Sequence, residues 1–558
     1  MMRVDVLDAL DPEQREVALA TRGAVCVLAG AGTGKTRAIT HRIAYAAATG
    51  VMDPAHVLAL TFTVRAAGEL RGRLRQLGAG QVRASTFHAA ALRQLNYFWP
   101  RVVGGRPPQL VDSKVGLVRE AAKLAGVRVE SVSDVASEIE WAKTMQIRPD
   151  GYPAADRETG IDQSELAAVY AAYEQLRRER HLIDFESILE LTAAVIFENR
   201  AAAEQVRDMF RFFVVDEYQD VNPLQKLLLD AWLGDRDDLC VVGDPHQTIY
   251  SFTGATPSYL TGFAAEFPGA AMVRLVRDYR STPQVVAVAN QLIKAETPLV
   301  AQRQPGPQPV LTVFSDEADE AEGVAVQIRA LIAGGVPARE IAVLVRINAH
   351  TERFEQALTR AGVAYVIRGA ERFYDRPVVK QALVLMRGAA RGEAEAGSLP
   401  EAVRHVLTGM DFTPGPAPPA GGAMARERWE SLAAIAQLAD DMHAQWPSVT
   451  LSEFAAELTQ RADIGHAPVV DGVTLTSMHA AKGLEWDAVL VPGLVEGIVP
   501  IVHARTPEAV AEERRLLYVA VTRAREHLYL SWSPARAAGA RQSRERSRFL
   551  GDIRALRH

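Results

Sequence analysis

The chain has 558 residues, so at roughly 150 residues per domain we expect several domains or subdomains. Hydrophobic residues make up 48% and charged residues 23% of the sequence, which excludes disordered and fibrous proteins. The 62 basic and 68 acidic side chains give a net charge of −6, which excludes a protein that coats nucleic acid with its whole surface and limits such contact to a local groove.

The sequence predicts neither a secretory signal nor a membrane span. Residues 1–14 lack an apolar segment after a basic start, and no run of about 18 apolar residues occurs. We therefore expect a cytoplasmic protein that does not contact membranes. Cys26 and Cys240 lie in apolar runs, so we expect small buried strand residues rather than a disulfide or a zinc site.

Short apolar runs alternate with amphipathic segments along the chain. The first set of runs comprises 24–29, 57–61, 212–215 and 239–242, and a second set comprises 310–314, 341–345, 473–476, 488–491 and 527–530. Strands without polar alternation are buried on both faces, so each set predicts a parallel sheet covered by helices. Segments 90–200 and 388–466 have helical patterns and are predicted to be insertions, the second around a Pro- and Gly-rich loop.

The strongest local motif is AGAGTGKT at residues 29–36. It follows an apolar run and precedes an amphipathic segment, which is the strand–loop–helix context of a phosphate-binding loop. Lys35 would reach the β- and γ-phosphates, and the Thr36 hydroxyl would bind Mg²⁺. An incidental glycine-rich turn is the alternative. The loop residues predicted to bind ATP through their backbone are Gly30, Ala31, Gly32, Thr33 and Gly34.

A second motif, RFFVVDEYQD, supplies carboxylates. Its apolar run places Asp216 at the end of a strand, where it would hold Mg²⁺, and Glu217 beside it, where it would deprotonate the attacking water. An acidic pair after a strand is often only an exposed turn, but together with the Lys35 loop it predicts nucleotide hydrolysis. The two motifs are much farther apart than the ~30 residues of a simple β–α–β unit. The excess is the first helical insertion.

Two arginines could stabilise negative charge at the γ-phosphate. Arg280 lies in LVRDYRSTPQ and Arg523 in EERRLLYVAVTRARE. Each alone is more often a surface residue. One follows the first set of strands and the other lies within the second set, so their order suggests that ATP lies in a cleft between two domains.

Five ordered segments extend these motifs along the chain. They are VVDEYQDVN (214–222), VVGDPHQTIYSFTGA (241–255), RDYRS (277–281), SMHAAKGLEWDAVLV (477–491) and EERRLLYVAVTRA (512–524). Together they resemble the motifs of superfamily 1A DNA helicases, the UvrD/Rep/PcrA family. The resemblance extends from residue 10 to residue 524, and the abundance of Ala, Arg, Val and Gly resembles that of an actinobacterial member with a GC-rich genome.

The resemblance implies an α/β fold with two RecA-like P-loop domains, each carrying a helical insertion. The implied segments are domain 1A (1–90), insertion 1B (91–200), the second part of 1A (201–285), domain 2A (286–388), a reduced insertion 2B (389–466) and the second part of 2A (467–558).

The resemblance also assigns roles around ATP. Gln14 would read the adenine edge, Arg37 and Tyr279 would flank its ring, and Glu485 would contact the ribose. Gln247 would sense the γ-phosphate and the attacking water. The two arginines described above would act as arginine fingers.

For DNA, the resemblance implies a groove of aromatic, hydroxyl and basic side chains. Such a mixture binds a single strand because rings stack on bases and hydroxyls and cations hold phosphates. Without the resemblance, most of these aromatic residues would be assigned to the core. The implied contacts are Phe62, Thr63, Thr86, His88, Phe185, Tyr250, Phe252, Asn348, Lys380 and His479.

The sequence departs from the family at several positions. Val64 and Arg65 replace a usual Asn-Lys pair, Phe252 and Thr253 replace Trp-Arg, and Asp278 replaces Asn. The second insertion is under half the size expected for the family.

The resemblance therefore predicts an ATP-dependent 3′–5′ DNA helicase or single-strand translocase in DNA repair or recombination, with ATP and Mg²⁺ as cofactors. The predicted partners are single-stranded DNA, junctions of single and double strands, and repair proteins, and the predicted state is a monomer or weak oligomer. One alternative is a DNA-stimulated translocase that unwinds poorly without a partner or a further C-terminal module. Another is a non-catalytic scaffold subunit of a recombination complex, which is disfavoured by the intact Lys35, Glu217, Arg280 and Arg523. A helicase–nuclease fusion is disfavoured because the chain ends soon after Arg523.

Overall fold

The protein is described by a computed structural model that divides into two compact units. Unit 1 comprises Met1–Arg280 and Thr297–Val300, and unit 2 comprises Ser281–Glu296 and Ala301–His558. The described residues are 6–556 except 112, 156, 158–160, 295, 348–349, 369–376, 391–397, 411, 414–428, 430, 434, 437, 441, 444–447, 465–471 and 537–538. The division into two units is coarser than the six predicted segments, which stay a prediction.

The strands are short and are numbered here in chain order. They are β1 Val25–Ala29, β2 Val57–Thr61, β3 Arg83–Thr86, β4 Gln109–Leu110, β5 Leu182–Ile183, β6 Phe212–Val215, β7 Leu239–Gly243, β8 Ala271–Leu275, β9 Arg277–Asp278, β10 Val300–Ala301, β11 Val310–Val313, β12 Ile341–Val345, β13 Tyr365–Arg368, β14 Val473–Ser477, β15 Trp486–Val491 and β16 Ala524–Trp532.

The helices of the described residues are numbered in the same way. They are α1 Pro12–Leu19, α2 Lys35–Ala48, α3 Val64–Gln76, α4 Phe87–Val102, α5 Lys114–Leu124, α6 Val132–Thr144, α7 Gln163–Glu179, α8 Phe185–Glu198, α9 Arg200–Met209, α10 Pro223–Leu233, α11 Ser258–Thr261, α12 Phe263–Glu266, α13 Pro283–Ile293, α14 Glu317–Ala333, α15 Thr351–Arg360, α16 Pro377–Ala389, α17 Leu399–Thr408, α18 Leu451–Ile464 and α19 Pro507–Val521. Among these, no helix is both long and apolar enough to cross a membrane.

Unit 1 is built on a six-stranded sheet with the order β3-β2-β6-β7-β1-β8, and each of these neighbouring pairs is parallel. The central strands β2, β6 and β7 are buried along their whole length, as their continuous apolar sequences predict. Cys26 and Cys240 lie on adjacent strands, fully buried and free of a disulfide, as expected.

The segment between β3 and β6 is almost entirely helical, as its sequence pattern predicts. It contains α4 to α9 and one short parallel pair, β4 with β5. Helices α5, α6 and α7 share a core that includes Val118, Ile139, Val169 and Tyr173. These helices therefore have a hydrophobic core of their own beside the sheet.

Unit 2 repeats the architecture with a second six-stranded sheet. Its order is β11-β16-β15-β12-β14-β13, and its neighbouring strands are all parallel. The predicted second insertion contains α17 and α18, which pack with α16 around a core that includes Val403 and Phe454. Most of the loop predicted to be flexible lies outside the described residues. The predicted class, α/β with two parallel sheets, is confirmed.

Candidate nucleotide and DNA sites

The candidate site of unit 1 lies at the carboxyl edge of its sheet. Because the strands are parallel, the loops that follow β1, β2, β3, β6 and β7 all leave the sheet at this edge. The motifs predicted from the sequence follow these five strands. The strand order places the motifs after β1 and β7 on one side of the sheet edge and those after β2 and β3 on the other. The acidic pair after β6 lies between these two groups.

The phosphate-binding loop joins β1 to α2. Gly32 and Gly34 have φ angles of 70° and 78°, in the left-handed region that favours glycine. A Cβ atom on Gly32 would lie 2.4 Å from Asp278 Oδ1, and one on Gly34 would lie 2.6 Å from Gln14 Nε2. The loop ends at the first turn of α2, whose N–H groups and dipole favour an anion. Its shape is that of the predicted phosphate site.

Asp278, noted above as a departure from the family, supports this loop. Its carboxylate is buried, and Oδ1 accepts the N–H of Arg280 at 2.7 Å while lying against Gly32. The next residue, Tyr279, donates its N–H to the carbonyl of Gly32 at 3.0 Å. Residues 278–280 are therefore fixed to the phosphate loop, a tertiary contact that sequence reasoning missed although it singled out the position.

The three side chains predicted to surround adenine lie close together, on or next to residues 9–14. The Gln14 side chain is buried and donates to a carbonyl of the phosphate loop at 3.0 Å. The Arg37 guanidinium donates to the Ala9 carbonyl at 2.6 Å, and the Tyr279 hydroxyl donates to the Asp11 carboxylate at 2.6 Å. Arg37 and Tyr279 are thus both held by the chain just before Gln14. The structure brings these residues together, and their contacts with adenine stay a prediction.

The acidic pair lies at the end of β6, close to Lys35. Burial and the neighbouring Glu217 raise the pKa of Asp216 to about 7, while the Lys35 ammonium opposes this shift. Glu217 adopts a left-handed backbone conformation, φ 54°, and donates its N–H to Asp216 Oδ1 at 2.9 Å. A strained non-glycine residue of this kind is typical of functional sites. The phosphate loop and the acidic pair are neighbours, as the sequence predicts.

A buried chain of hydrogen bonds links Glu217 to Gln247. The Gln219 amide donates to Glu217 Oε2 at 2.5 Å, and its carbonyl oxygen accepts the N–H of Asp244 at 3.0 Å. Asp244 Oδ2 in turn accepts from the Gln247 amide at 2.8 Å. The candidate base and the candidate γ-phosphate sensor therefore belong to one network. Sequence reasoning missed Gln219, although it stands two residues after Glu217.

The residues present fit a magnesium ion bound together with nucleotide. Mg²⁺ at such sites takes one or two protein oxygens and completes its shell with phosphate and water. Thr36 offers a hydroxyl, and Asp216 offers a buried carboxyl group whose pKa is raised by burial and by the neighbouring Glu217. Over the described part of the chain, no group of three or more His, Cys, Asp or Glu side chains could hold a metal by itself.

The candidate DNA contacts of unit 1 follow β2 and β3 or lie close to them. Thr63 and Thr86 cap α3 and α4, where their hydroxyls accept backbone N–H groups at 3.1 and 3.2 Å. Phe62 is partly buried. Phe185 is 54% exposed, and its ring lies edge-on to His88 at 5.8 Å between centroids. Burial lowers the pKa of His88 to about 4, so this ring is neutral at pH 7.

Tyr250 and Phe252 lie on and beside the short helical turn that follows Gln247. Their rings make an edge contact with centroids 6.1 Å apart. Phe252 is 58% exposed, which excludes a role as a core residue. Burial raises the pKa of Tyr250 to about 12, so its hydroxyl keeps its proton at pH 7. An exposed ring is therefore connected to the candidate γ-phosphate sensor by only a few residues.

In unit 2, Arg523 and Glu485 both have partners within the unit. The Arg523 guanidinium is buried and donates to the carbonyls of Val519 and Leu484 at 2.9 and 3.0 Å. Glu485 accepts from the Arg525 guanidinium at 3.0 Å. These contacts position both side chains. Their assignment to the γ-phosphate and the ribose stays a prediction.

The remaining candidate DNA contacts also belong to unit 2. Burial and the nearby Arg346 lower the pKa of His479 to about 4. Lys380 is exposed on α16. Asn348 lies outside the described residues. The DNA roles of these three residues stay predictions.

The fold and the site of unit 1 define a P-loop NTPase. Residues 10–268 match the model of the UvrD/REP helicase N-terminal domain, and residues 273–410 and 400–535 match that of the UvrD-like helicase C-terminal domain. The chain therefore belongs to the UvrD/REP helicase family.

Individual proteins that are similar to this chain carry names of the same family. The chain is 52% identical to proteins named ATP-dependent DNA helicase UvrD2 from Mycobacterium tuberculosis and Mycobacterium bovis, across 98% of this chain and 82% of each relative. It is 27% identical to the ATP-dependent DNA helicase PcrA of Staphylococcus aureus, across 98% of this chain and 86% of that protein. The predicted resemblance to a UvrD-like actinobacterial helicase is confirmed, and with it the enzyme class and the two RecA-like domains.

Proposed function

We propose that this ATP-dependent helicase moves 3′ to 5′ along single-stranded DNA and unwinds duplexes at junctions during DNA repair or recombination. The observation that carries the coupling of ATP to DNA is the arrangement at the carboxyl edge of the first sheet, and the polarity and the repair role are proposed from the family. A phosphate loop and an acidic pair meet there, and exposed aromatic rings follow at the same edge. Repair proteins as partners, a monomeric or weakly oligomeric state and a cytoplasmic location are also parts of this proposal.

In the proposed hydrolysis, the phosphate loop and Lys35 hold the triphosphate. Glu217 orients a water molecule and takes its proton, while Gln219 fixes the Glu217 carboxylate through the short hydrogen bond. Arg280 and Arg523 stabilise the negative charge that develops on the γ-phosphate. When Mg²⁺ is bound, held by Thr36 and Asp216, it neutralises phosphate charge.

In the proposed DNA site, exposed rings stack on bases and hydroxyl groups bind phosphates. Neither contact reads base identity, so the strand can move without loss of affinity at particular sequences. We propose that ATP binding and hydrolysis make the two RecA-like domains grip and release the strand alternately. The nucleotide-dependent step would begin at the network that joins Glu217 to Gln247.

The experiment compares unwinding of 3′-tailed, 5′-tailed and blunt duplexes of equal length. Streptavidin displacement from either end of a single strand is measured in parallel, with Lys35→Ala as the inactive control. We expect ATP-dependent unwinding of the 3′-tailed duplex alone and displacement in the 3′–5′ direction alone. Preference for the 5′ tail would contradict the polarity, and ATPase activity that DNA does not stimulate would contradict the function.

A second candidate is a translocase that separates strands poorly on its own. The small size of the second insertion favours it, because residues 389–466 leave little chain from which to build a duplex-binding surface. This candidate predicts full streptavidin displacement with little unwinding of the 3′-tailed duplex. Equal efficiency in both assays would exclude it.

A further inference from the structure

A buried polar cluster lies among the helices of unit 1, outside the nucleotide site. At its centre is Lys143 on α6, which is 6% exposed. Its ammonium lies 2.6 Å from Glu174 Oε1 on α7, 2.8 Å from Asp184 Oδ2 and 2.8 Å from Ser187 Oγ on α8. One cation therefore joins three helices.

Asp184 is the residue through which the cluster fixes α8. It is 2% exposed, and its Oδ1 accepts the N–H of Ser187 at 2.8 Å, which makes it the N-cap of the helix. Its other oxygen accepts the Tyr173 hydroxyl at 2.8 Å as well as the Lys143 ammonium. Burial opposes ionisation of Asp184, but Lys143 and Lys114 outweigh it and lower its pKa. The first turn of α8 is thus held by an ionised, fully bonded carboxylate.

Two further ion pairs, both formed by Lys114, hold the other side of the same turn. Lys114 on α5 lies 2.7 Å from Glu186 Oε2 and 2.9 Å from Glu140 Oε1. The residues before and after Phe185 are therefore both tied to neighbouring helices. The Phe185 ring between them is 54% exposed. The backbone that carries the ring is therefore held on both sides.

The end of α6 also supports the turn that carries Phe252. A Cβ atom on Gly254 would lie 2.9 Å from Thr144 Cγ2 and 3.2 Å from Met145 Sδ. Thr144 directly follows Lys143. The same helix end is thus packed against both segments that present an exposed ring.

Stability alone does not account for such a cluster. Removing two charges from water costs several kcal/mol per ion, and well-packed apolar residues are often equally stabilising in such places. What this cluster adds is a fixed position for Asp184, whose Oδ2 accepts from Tyr173 on α7 and from Lys143 on α6. A surface that is rigid before binding loses less conformational entropy when a ligand binds.

We propose that Lys143 and Asp184 are positioning residues for DNA binding, and that they hold Phe185 as a preformed stacking surface for one base of a single strand. The proposal rests on the proposed DNA site and deepens it. Neither residue need touch DNA, since both act through the first turn of α8.

The test measures binding of fluorescein-labelled oligo-dT by anisotropy in four variants of the full chain. These are Phe185→Ala, Lys143→Met, the double variant, and the matched control Lys226→Met. Lys226 also forms two ion pairs within unit 1, at 2.6 Å from both Asp230 and Glu266. Circular dichroism checks folding, and DNA-stimulated ATPase is titrated with oligo-dT.

We expect Phe185→Ala to weaken binding about 5- to 150-fold, the value of one stacked base. Lys143→Met should weaken binding by about threefold or more. The double variant should match Phe185→Ala within about twofold, because both substitutions act on the same stacking interaction. Lys143→Met should raise the DNA concentration for half-maximal ATPase and leave the maximal rate unchanged. Lys226→Met should bind as the wild type does.

The outcomes distinguish the positioning role of Lys143 and Asp184 from the proposed DNA site on which it rests. Unchanged binding by Phe185→Ala would refute the DNA contact itself. Weaker binding by Phe185→Ala, with unchanged binding by Lys143→Met or multiplied losses in the double variant, would refute the positioning role alone. If Lys143→Met does not fold, Tyr173→Phe decides the matter, since it removes only one bond to Asp184. It should then weaken DNA binding in the same direction, and wild-type affinity would overturn the proposal.

Discussion

Replacing Gln219 by glutamate should slow ATP hydrolysis. Gln219 is fully buried, and both ends of its side-chain amide form hydrogen bonds. Its N–H donates to the Glu217 carboxylate, and its carbonyl oxygen accepts the N–H of Asp244. Glutamate has the same shape and keeps the acceptor for Asp244. It replaces the donor facing Glu217 with an oxygen, so the hydrogen bond is lost and two carboxyl groups meet.

The size of the effect follows from the bond that is removed. A hydrogen bond to a charged group contributes about 1.5–3 kcal/mol, which corresponds to about 10- to 150-fold in rate if it is needed to hold the base in the transition state. The acceptor is a carboxylate oxygen of Glu217, so the bond from Gln219 Nε2 is charge-assisted and belongs among the strong ones. We expect kcat to fall by about 10- to 100-fold and ATP affinity to change little, because the phosphate loop is untouched.

The assay is steady-state ATPase activity with saturating oligo-dT, together with binding of a fluorescent ATP analogue. Gln225→Glu is a matched control, because Gln225 is also buried and its side-chain oxygen accepts the N–H of Asn222 in the cap of α10. Glutamate preserves that bond, so the control should retain wild-type kcat. A kcat for Gln219→Glu within about twofold of wild type would refute the role of this bond in positioning the base.

Four further predictions concern the sites directly. Glu217→Gln should bind ATP but lose DNA-stimulated hydrolysis, whereas Lys35→Ala should lose affinity and turnover together, and normal turnover in the first would refute its role as the base. Arg280→Ala and Arg523→Ala should each lower kcat about 10³-fold with small changes in nucleotide affinity, and a normal rate in either would contradict its role. Single-strand affinity should show a moderate salt dependence and duplex should compete weakly, since the net charge is −6, and equal affinity for blunt duplex would contradict a groove. Phe252→Ala should lose most unwinding while losing at most about 1 kcal/mol of stability, because the ring is largely exposed, and Phe252→Trp should unwind at least as well as wild type.

The strands that the sequence predicts and those that it does not predict occupy different positions in the two sheets. Every predicted apolar run corresponds to a strand. The six-stranded sheets also contain β3, β8 and β13, which were not predicted, and all three lie at sheet edges. An edge strand has a neighbour on one side only and need not be apolar throughout. β3 has the polar sequence RAST, and β8 exposes Met272.

The site divides in a similar way between local and tertiary information. The phosphate loop and the acidic pair are contiguous motifs, so the sequence predicts both the residues and their chemistry. The contacts of Asp278 with Gly32 and of Lys143 with Asp184 join positions far apart in the chain. No periodicity or motif indicates such pairs, because they depend on how helices and loops pack. The sequence therefore predicted the chemical groups but not the residues that hold them in place.

The strand order gives a physical reason for expecting tight coupling between ATP and DNA. Parallel strands lie about 4.8 Å apart, so the loop after β6 is close to the candidate DNA residues after β2 on one side and to Gln247 after β7 on the other. Gln219 spans the second gap with two hydrogen bonds. A change at the γ-phosphate thus needs to move only adjacent loops to reach Phe252. If this path carries the signal, Gln219→Glu should also weaken the dependence of single-strand affinity on bound nucleotide, whereas Gln225→Glu should leave that dependence intact.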